Sequence, residues 1–290
     1  MATDRRIELT LLGVLALFWG SSYLLIALAV QAIGPITLVA IRVSIAAMVL
    51  VAIAMAQGHR LPRDRATWLA LSIQAFFNSF GAWTLLAWGQ QHVDSGLAGV
   101  LNSTAPIFVI LITVLLMGQP SSLHQVLGAL VGLSGVVLIM GPEVLGGLGQ
   151  QALAQAAVLA GAVLYAFAAL YGRRFARLPP VVTAAGTMIV ASLVLIPLAL
   201  VFEDPGRMTP SLMSLAAAGA LGLFCTGLAL LLYFRLIKTL GPVGVASQAY
   251  LRAGVAVVLG ILFLGESFSV TIALGIGLAL SGVLLINWPR

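Results

Sequence analysis

Ala98–Pro142 reads AGVLNSTAPIFVILITVLLMGQPSSLHQVLGALVGLSGVVLIMGP, and Val245–Pro289 reads VASQAYLRAGVAVVLGILFLGESFSVTIALGIGLALSGVLLINWP. Laid over one another without a gap, they align Gly118 with Gly265, Gly128 with Gly275, Ser134 with Ser281, Gly135 with Gly282, Ile139 with Ile286 and Pro142 with Pro289. An unbroken register through two apolar helices and the turn between them marks an internal duplication. The chain is expected to be two halves, residues 1–142 and 143–290.

Composition places those halves in a bilayer. With 61% hydrophobic and 8% charged residues and a mean hydropathy of +1.15, the chain lacks the polar surface to clothe a soluble globule. The formal charge of +6 does not indicate nucleic acid, because the basic residues are scattered among apolar runs and form no stripe. A single cysteine, Cys225, excludes an intrachain disulfide or a cysteine-based zinc cluster.

Apolar runs long enough to cross a ~30 Å hydrocarbon core as helix recur at 9–30, 35–56, 66–88, 96–117, 123–140, 151–172, 181–202, 211–234, 243–264 and 270–287. Pro, Gly or charge separates them, and the connections leave no room for a soluble domain. The first run exceeds a signal-peptide core and is expected to be retained. With a cytoplasmic N-terminus, the inner side collects Arg5, Arg6, Arg60, Arg63, Arg65, Arg173, Arg174, Arg177, Arg235, Lys238 and Arg290, against Arg207 alone outside. That bias places both termini inside. Five spans per half is an odd number, so the second half enters the membrane inverted. Inverted repeats are the architecture of many secondary transporters, with a substrate site near the bilayer midplane.

The expected fold is therefore all-α and integral to the membrane: ten helices as two five-helix inverted repeats around a central cavity. On Trp19-Gly20-Ser21-Ser22-Tyr23, Arg42, Ala105-Pro106, Gly265-Glu266 and Ser281-Gly282 the chain resembles the drug/metabolite transporter superfamily. Within it the chain is most similar to bacterial EamA-type exporters, especially those of aromatic and other amino acids. Two positions depart from that pattern: Gly118-Gln119 stands where Gly-Glu is usual, and Arg252-Ala253 where a proline often sits. The resemblance implies export of small metabolites from the cytoplasm across the bacterial inner membrane, with no cofactor.

Candidate substrate contacts follow from depth and chemistry. Pro106 removes the amide that would bond the Asn102 carbonyl and clashes with it. Irregular backbone at membrane depth is tolerated only against protein or a watery cavity. Asn102, Ser103 and Pro106 are therefore candidate cavity wall, with a tolerated kink as the alternative. Arg42 and Arg252 fall within spans, each disfavoured there by roughly 2.5 to 3.5 kcal/mol, and no acidic residue of the sequence shares their depth. A cation facing a cavity would attract a carboxylate; the alternative is that helix-end carbonyls and water satisfy it.

Gln74, Asn78, Gly81 and Trp88 recur at helical spacing as one polar face of the third span. Gln248 lies one turn before Arg252, flanked by Tyr250. Trp19, Ser22, Tyr23 and Tyr165 add rings and hydrogen-bonding groups. Such a wall suits solutes carrying a carboxylate and an apolar side chain, and amino acids fit. Trp68, Trp88 and Trp288 belong instead to the interfacial belt. The acids and the three histidines sit in loops, the tail or helix ends, so no intramembrane proton relay is expected and facilitated export is preferred. Gly128, Gly132 and Gly135 match Gly275, Ala279 and Gly282 as close-packing faces, meeting either each other or a second protomer.

The same fold carrying a nucleotide sugar, sugar phosphate or drug is the alternative function. Two embedded arginines argue against cations. An enzyme or scaffold is the reading from another class, but no His-x-x-x-His or Gly-x-Ser-x-Gly signature appears. No catalytic residue and no metal site is assigned. The expected partners are a small-molecule substrate and the lipid bilayer, with a homo-oligomer left open and no nucleic acid.

Overall fold

A computed structural model of the chain describes residues 5–29, 32–90, 92, 95–141, 145–146, 148–149, 151–264 and 269–288. Among the described residues every regular element is helical. In order they are α1 (Arg5–Ala29), α2 (Pro35–Ala56), α3 (Arg65–Ala75), α4 (Gly81–Gln90), α5 (Ser95–Asn102), α6 (Ala105–Leu115), α7 (Leu123–Met140), α8 (Ala152–Gly172), α9 (Pro180–Phe202), α10 (Leu212–Gly222), α11 (Ala229–Thr239), α12 (Gly241–Ala246), α13 (Gln248–Leu264) and α14 (Val270–Ile286). Two π-helical segments, Phe76–Phe80 and Leu223–Leu228, join α3 to α4 and α10 to α11.

Eight helical stretches among the described residues are long and apolar enough to cross a bilayer, and Val270–Ile286 is a shorter apolar helix. The remaining expected run, 243–264, falls on α12 and α13. Large apolar side chains face outward, with Leu212 84% and Leu153 75% exposed, while Gln74 and Thr183 are fully buried. That inversion of the soluble pattern is what a hydrocarbon solvent requires.

The duplication seen in Ala98–Pro142 extends through local structure. Asp64 and Ser211, 147 positions apart, each cap a helix, accepting from the amides of Thr67 and Ser214 at 2.7 and 3.1 Å. Ser122 and Ser269, again 147 apart, do the same for α7 and α14. A capping side chain satisfies one of the amides that a helix start leaves without a partner. The two π-helical segments also begin 147 positions apart. The turn at Gly265-Glu266 and the expected boundary at residues 142 and 143 lie outside the described residues.

Two compact units divide the chain. One comprises Met1–Gly20, Gly81–Arg173 and Leu236–Arg290, the other Ser21–Phe80 and Arg174–Arg235. Each unit takes residues from both sides of the expected boundary at 142.

In the first unit α7 packs along α14, so the glycine faces meet within the chain. A methyl group on Gly128 would lie 2.8 Å from the Gly282 carbonyl oxygen and 2.7 Å from the Ile286 amide nitrogen. One on Gly275 would lie 2.8 Å from the Gly135 carbonyl oxygen and 2.9 Å from the Ile139 amide nitrogen. In repeat register Gly128 corresponds to Gly275, Gly135 to Gly282 and Ile139 to Ile286. Each contact thus recurs with its partners exchanged, as a local two-fold axis demands. Late residues of one helix meet early residues of the other, so the two equivalent helices run antiparallel. Repeats whose matching helices oppose one another in this way have inverted topology.

The second unit is built on α2, which packs against α9, α10 and the π-helical Leu223–Leu228. Ala29, Leu38, Ala217, Leu221 and Cys225 form its buried apolar cluster. Glu203, just past the end of α9, accepts from the amides of Ile36 and Thr37 at 2.8 and 2.7 Å. A carboxylate at a helix N-terminus satisfies orphan donors and complements the dipole. The end of α9 therefore meets the start of α2, a second antiparallel pair.

Candidate functional site

Two helix interruptions organise the polar residues of the first unit. At the first, α5 stops at Asn102 and α6 starts at Ala105. The Ser103 amide is shared between the carbonyls of Gly99 and Val100 at 3.0 and 3.1 Å, and Thr104 starts the new helix by accepting from Ile107 at 2.9 Å. Sequence reading places Pro106 inside a continuous span; the structure puts it in the first turn of a new helix, where its missing amide leaves no bond unmade. Asn102, Ser103 and Pro106 are all buried, and the Asn102 Oδ1 has no hydrogen-bond partner.

At the second interruption α12 ends and α13 begins around Ser247. The Ser247 hydroxyl donates to the Gly244 carbonyl at 2.6 Å and accepts from the Asn287 amide at 3.2 Å. That amide also donates to the Val283 carbonyl at 2.9 Å. A methyl group on Gly244 would lie 2.6 Å from the Asn287 Oδ1, so only glycine lets the end of α14 reach this point. The corresponding stretch of the first half is interrupted about three positions later in register, at Ser103–Thr104. Broken helices at matching places in two repeats are where transporters coordinate substrates and ions.

Gln248 and Arg252 follow the second break one turn apart. Gln248 is buried and its Oε1 has no hydrogen-bond partner; Arg252 is half-buried. Gly20 admits α1 beside them, since a methyl group there would lie 2.6 Å from Val255 and 3.2 Å from the Arg252 carbonyl. Trp19, the preceding residue of α1, and Tyr165 on α8 are half-buried. Helix α8 packs against α5, α6 and α12, so both interruptions rest on the helix that carries Tyr165.

Tyr250 takes a different role from the one expected of it. It is fully buried, its hydroxyl donates to the Ala129 carbonyl at 3.0 Å, and its ring lies against Gly132. It anchors α13 to α7 and offers no free face to a solute.

The other expected contacts lie in the second unit. Asn78 is buried within a π-helical turn beside Ser79, whose hydroxyl has no partner; Ser22 is half-buried, and the side chain of Tyr23 is outside the described residues. The extra residue of the π turn shifts the helical phase, so Gln74 and Asn78 are buried while Trp88 is 41% exposed. They do not form one continuous face. Arg42 is buried, and its Nε donates to the Thr226 hydroxyl at 3.0 Å, which in turn donates to the Leu221 carbonyl at 2.8 Å. That donation reaches five residues back, from the second π-helical segment into the end of α10. The sequence carries no direct signal for Thr226, Ser247 or Asn287, because their partners come from distant helices.

Among the described residues no group of three or more His, Cys, Asp or Glu is placed to hold a metal ion. The site is therefore a set of amide oxygens, hydroxyls, rings and a guanidinium around two helix ends.

Comparison with known proteins follows the same line. The EamA-like transporter family matches twice, over residues 6–141 and 152–288. The uncharacterized inner membrane transporter YedA of Escherichia coli (strain K12) is 29% identical over 276 residues, covering 95% of this chain and 89% of its own length. A probable terminal-alkyne amino-acid exporter of Streptantibioticus cattleyicolor is 28% identical over 273 residues, covering 93% and 89%. A solved crystal structure covers 96% of this chain and 98% of its own at a TM-score of 0.79 and 24% identity, a likeness of fold. With its internal repeat, apolar exterior and interrupted helices, the chain belongs to the EamA-like transporter family, and it is a membrane transporter of small molecules rather than an enzyme.

Proposed function

We propose that the protein exports amino acids, aromatic ones included, and related small metabolites from the cytoplasm by alternating access. The observation that carries this reading is the pair of buried amide oxygens, Asn102 Oδ1 and Gln248 Oε1, that lack donors, with Arg252 one turn beyond Gln248. Buried acceptors that are left unmatched are costly, and a solute bearing an ammonium group supplies donors. A guanidinium supplies the complementary grip on a carboxylate. Trp19 and Tyr165 then offer apolar surface to a side chain, with Ser103 and Pro106 at the first interruption; Ser22, Tyr23 and Asn78 are proposed as contacts that the second unit contributes on its own. The exporter of S. cattleyicolor supports an amino-acid substrate. Repeats at 1–142 and 143–290, both termini in the cytoplasm and a place in the bacterial inner membrane complete the reading. Facilitated movement down the solute's own gradient is favoured, since no acidic residue of the sequence lies deep within a span.

Uptake of labelled amino acids into liposomes containing the pure protein tests this. Saturable flux above empty vesicles is expected; flux equal to empty vesicles overturns it. Arg252→Ala should cost carboxylate-bearing substrates about tenfold or more in transport efficiency, the worth of one charge-assisted bond, and leave their amide analogues nearly unchanged. Equal loss for both would make Arg252 structural.

A further inference from the structure

Glu8 is a buried carboxylate of the first unit that the substrate site does not use. It is 1% exposed, and its Oε2 accepts from the hydroxyl of Thr239, the last residue of α11, at 2.8 Å. An acid in the first turn of a helix is ordinary, because the dipole favours it there. The dipole explains neither its burial nor its reach to a second helix. In repeat register Glu8 corresponds to Gln155, which is also buried and whose Oε1 accepts from the Gly149 amide at 3.0 Å. One half thus fills this position with a neutral amide bonded to its own stretch of chain, and the other with a carboxylate bonded across to another helix.

The helices that carry these residues differ in the same sense. Helix α4 packs against α8 through two glycines. A methyl group on Gly89 would lie 2.6 Å from Val158 and 2.9 Å from the Ala154 carbonyl oxygen, and one on Gly161 would lie 2.9 Å from Leu86. Repeat register puts Val14 in place of Gly161 and Leu236 in place of Gly89, so the equivalent pair, α1 and α11, lacks the glycines that weld α4 to α8. Close backbone packing is what holds helices together in lipid, and parting them forfeits it with nothing in exchange. A hydrogen bond to a hydroxyl that faces solvent, as the exposed Thr239 does, is exchanged for bonds to water, and breaking it costs only its net worth. The α4–α8 pair is built to stay together, whereas α1 and α11 are joined by a contact that water replaces.

We propose that the hydrogen bond between Glu8 and Thr239 is a latch: it holds the start of α1 against the end of α11, and its release opens this end of the first unit while α4 and α8 stay together. The latch itself needs no assumption about transport, but its role as a gate rests on the alternating-access reading above. On the topology proposed there it lies at the cytoplasmic ends of both helices.

The test uses the full-length protein with Cys225, its single cysteine, replaced by serine, and reads two quantities. Hydrogen–deuterium exchange in detergent compares residues 9–20 of α1 with their equivalents, residues 156–167 of α8. Glu8→Ala and Thr239→Val should each speed exchange over 9–20 by about tenfold, the worth of one charge-assisted hydrogen bond, and the two together should add nothing to either alone. Exchange over 156–167 should not change, and Thr239→Ser, which keeps the hydroxyl, should behave as the wild type. In liposomes, Glu8→Cys with Thr239→Cys, bridged by a bis-methanethiosulfonate reagent, should halt amino-acid flux until the bridge is reduced. A disulfide formed from Leu86→Cys with Gly161→Cys, whose positions lie within its reach, should leave flux intact. Exchange over 9–20 that ignores Glu8→Ala overturns the latch, as does equal acceleration over 156–167. Flux that persists through the α1–α11 bridge overturns the gate. Absence of flux before bridging counts against the amino-acid reading instead, and the exchange data still decide the latch.

Discussion

Arg42 and Arg252 pose one problem at the residue scale: how a span carries a guanidinium. The sequence identifies both as charges at depth but not how either is held, because the Arg42 partner is 184 positions away. Thr226 sits in a π-helical segment, and its hydroxyl bridges the guanidinium and the Leu221 carbonyl. Thr226→Val should therefore lower stability by about 1 to 3 kcal/mol, the cost of a buried donor deprived of its acceptor. Thr226→Ser, which keeps the hydroxyl, should restore most of it. Thermal unfolding in detergent measures both; a neutral Thr226→Val would show that the bond adds nothing. Tyr250 illustrates the opposite difficulty. An aromatic residue near a predicted polar cluster looks like a solute contact, and only tertiary packing reveals that its hydroxyl is engaged with Ala129.

Most elements were legible at their own scale, and their interruptions were not. Apolar runs bounded by Pro, Gly and charge locate the helices, since hydropathy and breakers act locally. The π-helical turns at Phe76–Phe80 and Leu223–Leu228 leave no compositional mark, so the spacing of Gln74, Asn78, Gly81 and Trp88 read as one stripe although the inserted residue divides it. The break at Ser247 was hidden because no proline marks it; Pro106 marked its counterpart. The glycine faces of α7 and α14 were visible, while the choice between pairing within the chain and with another copy needed the contacts. These predict a contrast. Gly135→Ala should destabilise by about 1 to 3 kcal/mol, the cost of overpacking, because its methyl would lie 2.5 Å from the Ala279 amide nitrogen. Gly277→Ala, on the same face-to-face pair of helices but with nothing within 4 Å, should be neutral or stabilising by up to about 1 kcal/mol. Equal unfolding temperatures for the two variants would contradict the close α7–α14 contact.

For the whole molecule, the duplication organises everything else. A register 147 positions long governs N-caps, π turns and glycine contacts alike. It persists although few side chains within it are identical, because what recurs is where helices start, loosen and touch. The compact units nevertheless draw on both halves, so the repeat of the sequence is not the packing unit of the fold. Antiparallel contacts between equivalent helices put the two halves in opposite senses, and an inverted pair gives a carrier two equivalent states to exchange. On the proposed topology the basic residues mark the cytoplasmic face.

Reporter tags inserted after Gly118 and after Gly265 test this most directly, since the two turns occupy the same place in their repeats. The account predicts that in intact cells the first tag lies on the cytoplasmic side and the second on the outside; both tags on one face would contradict it.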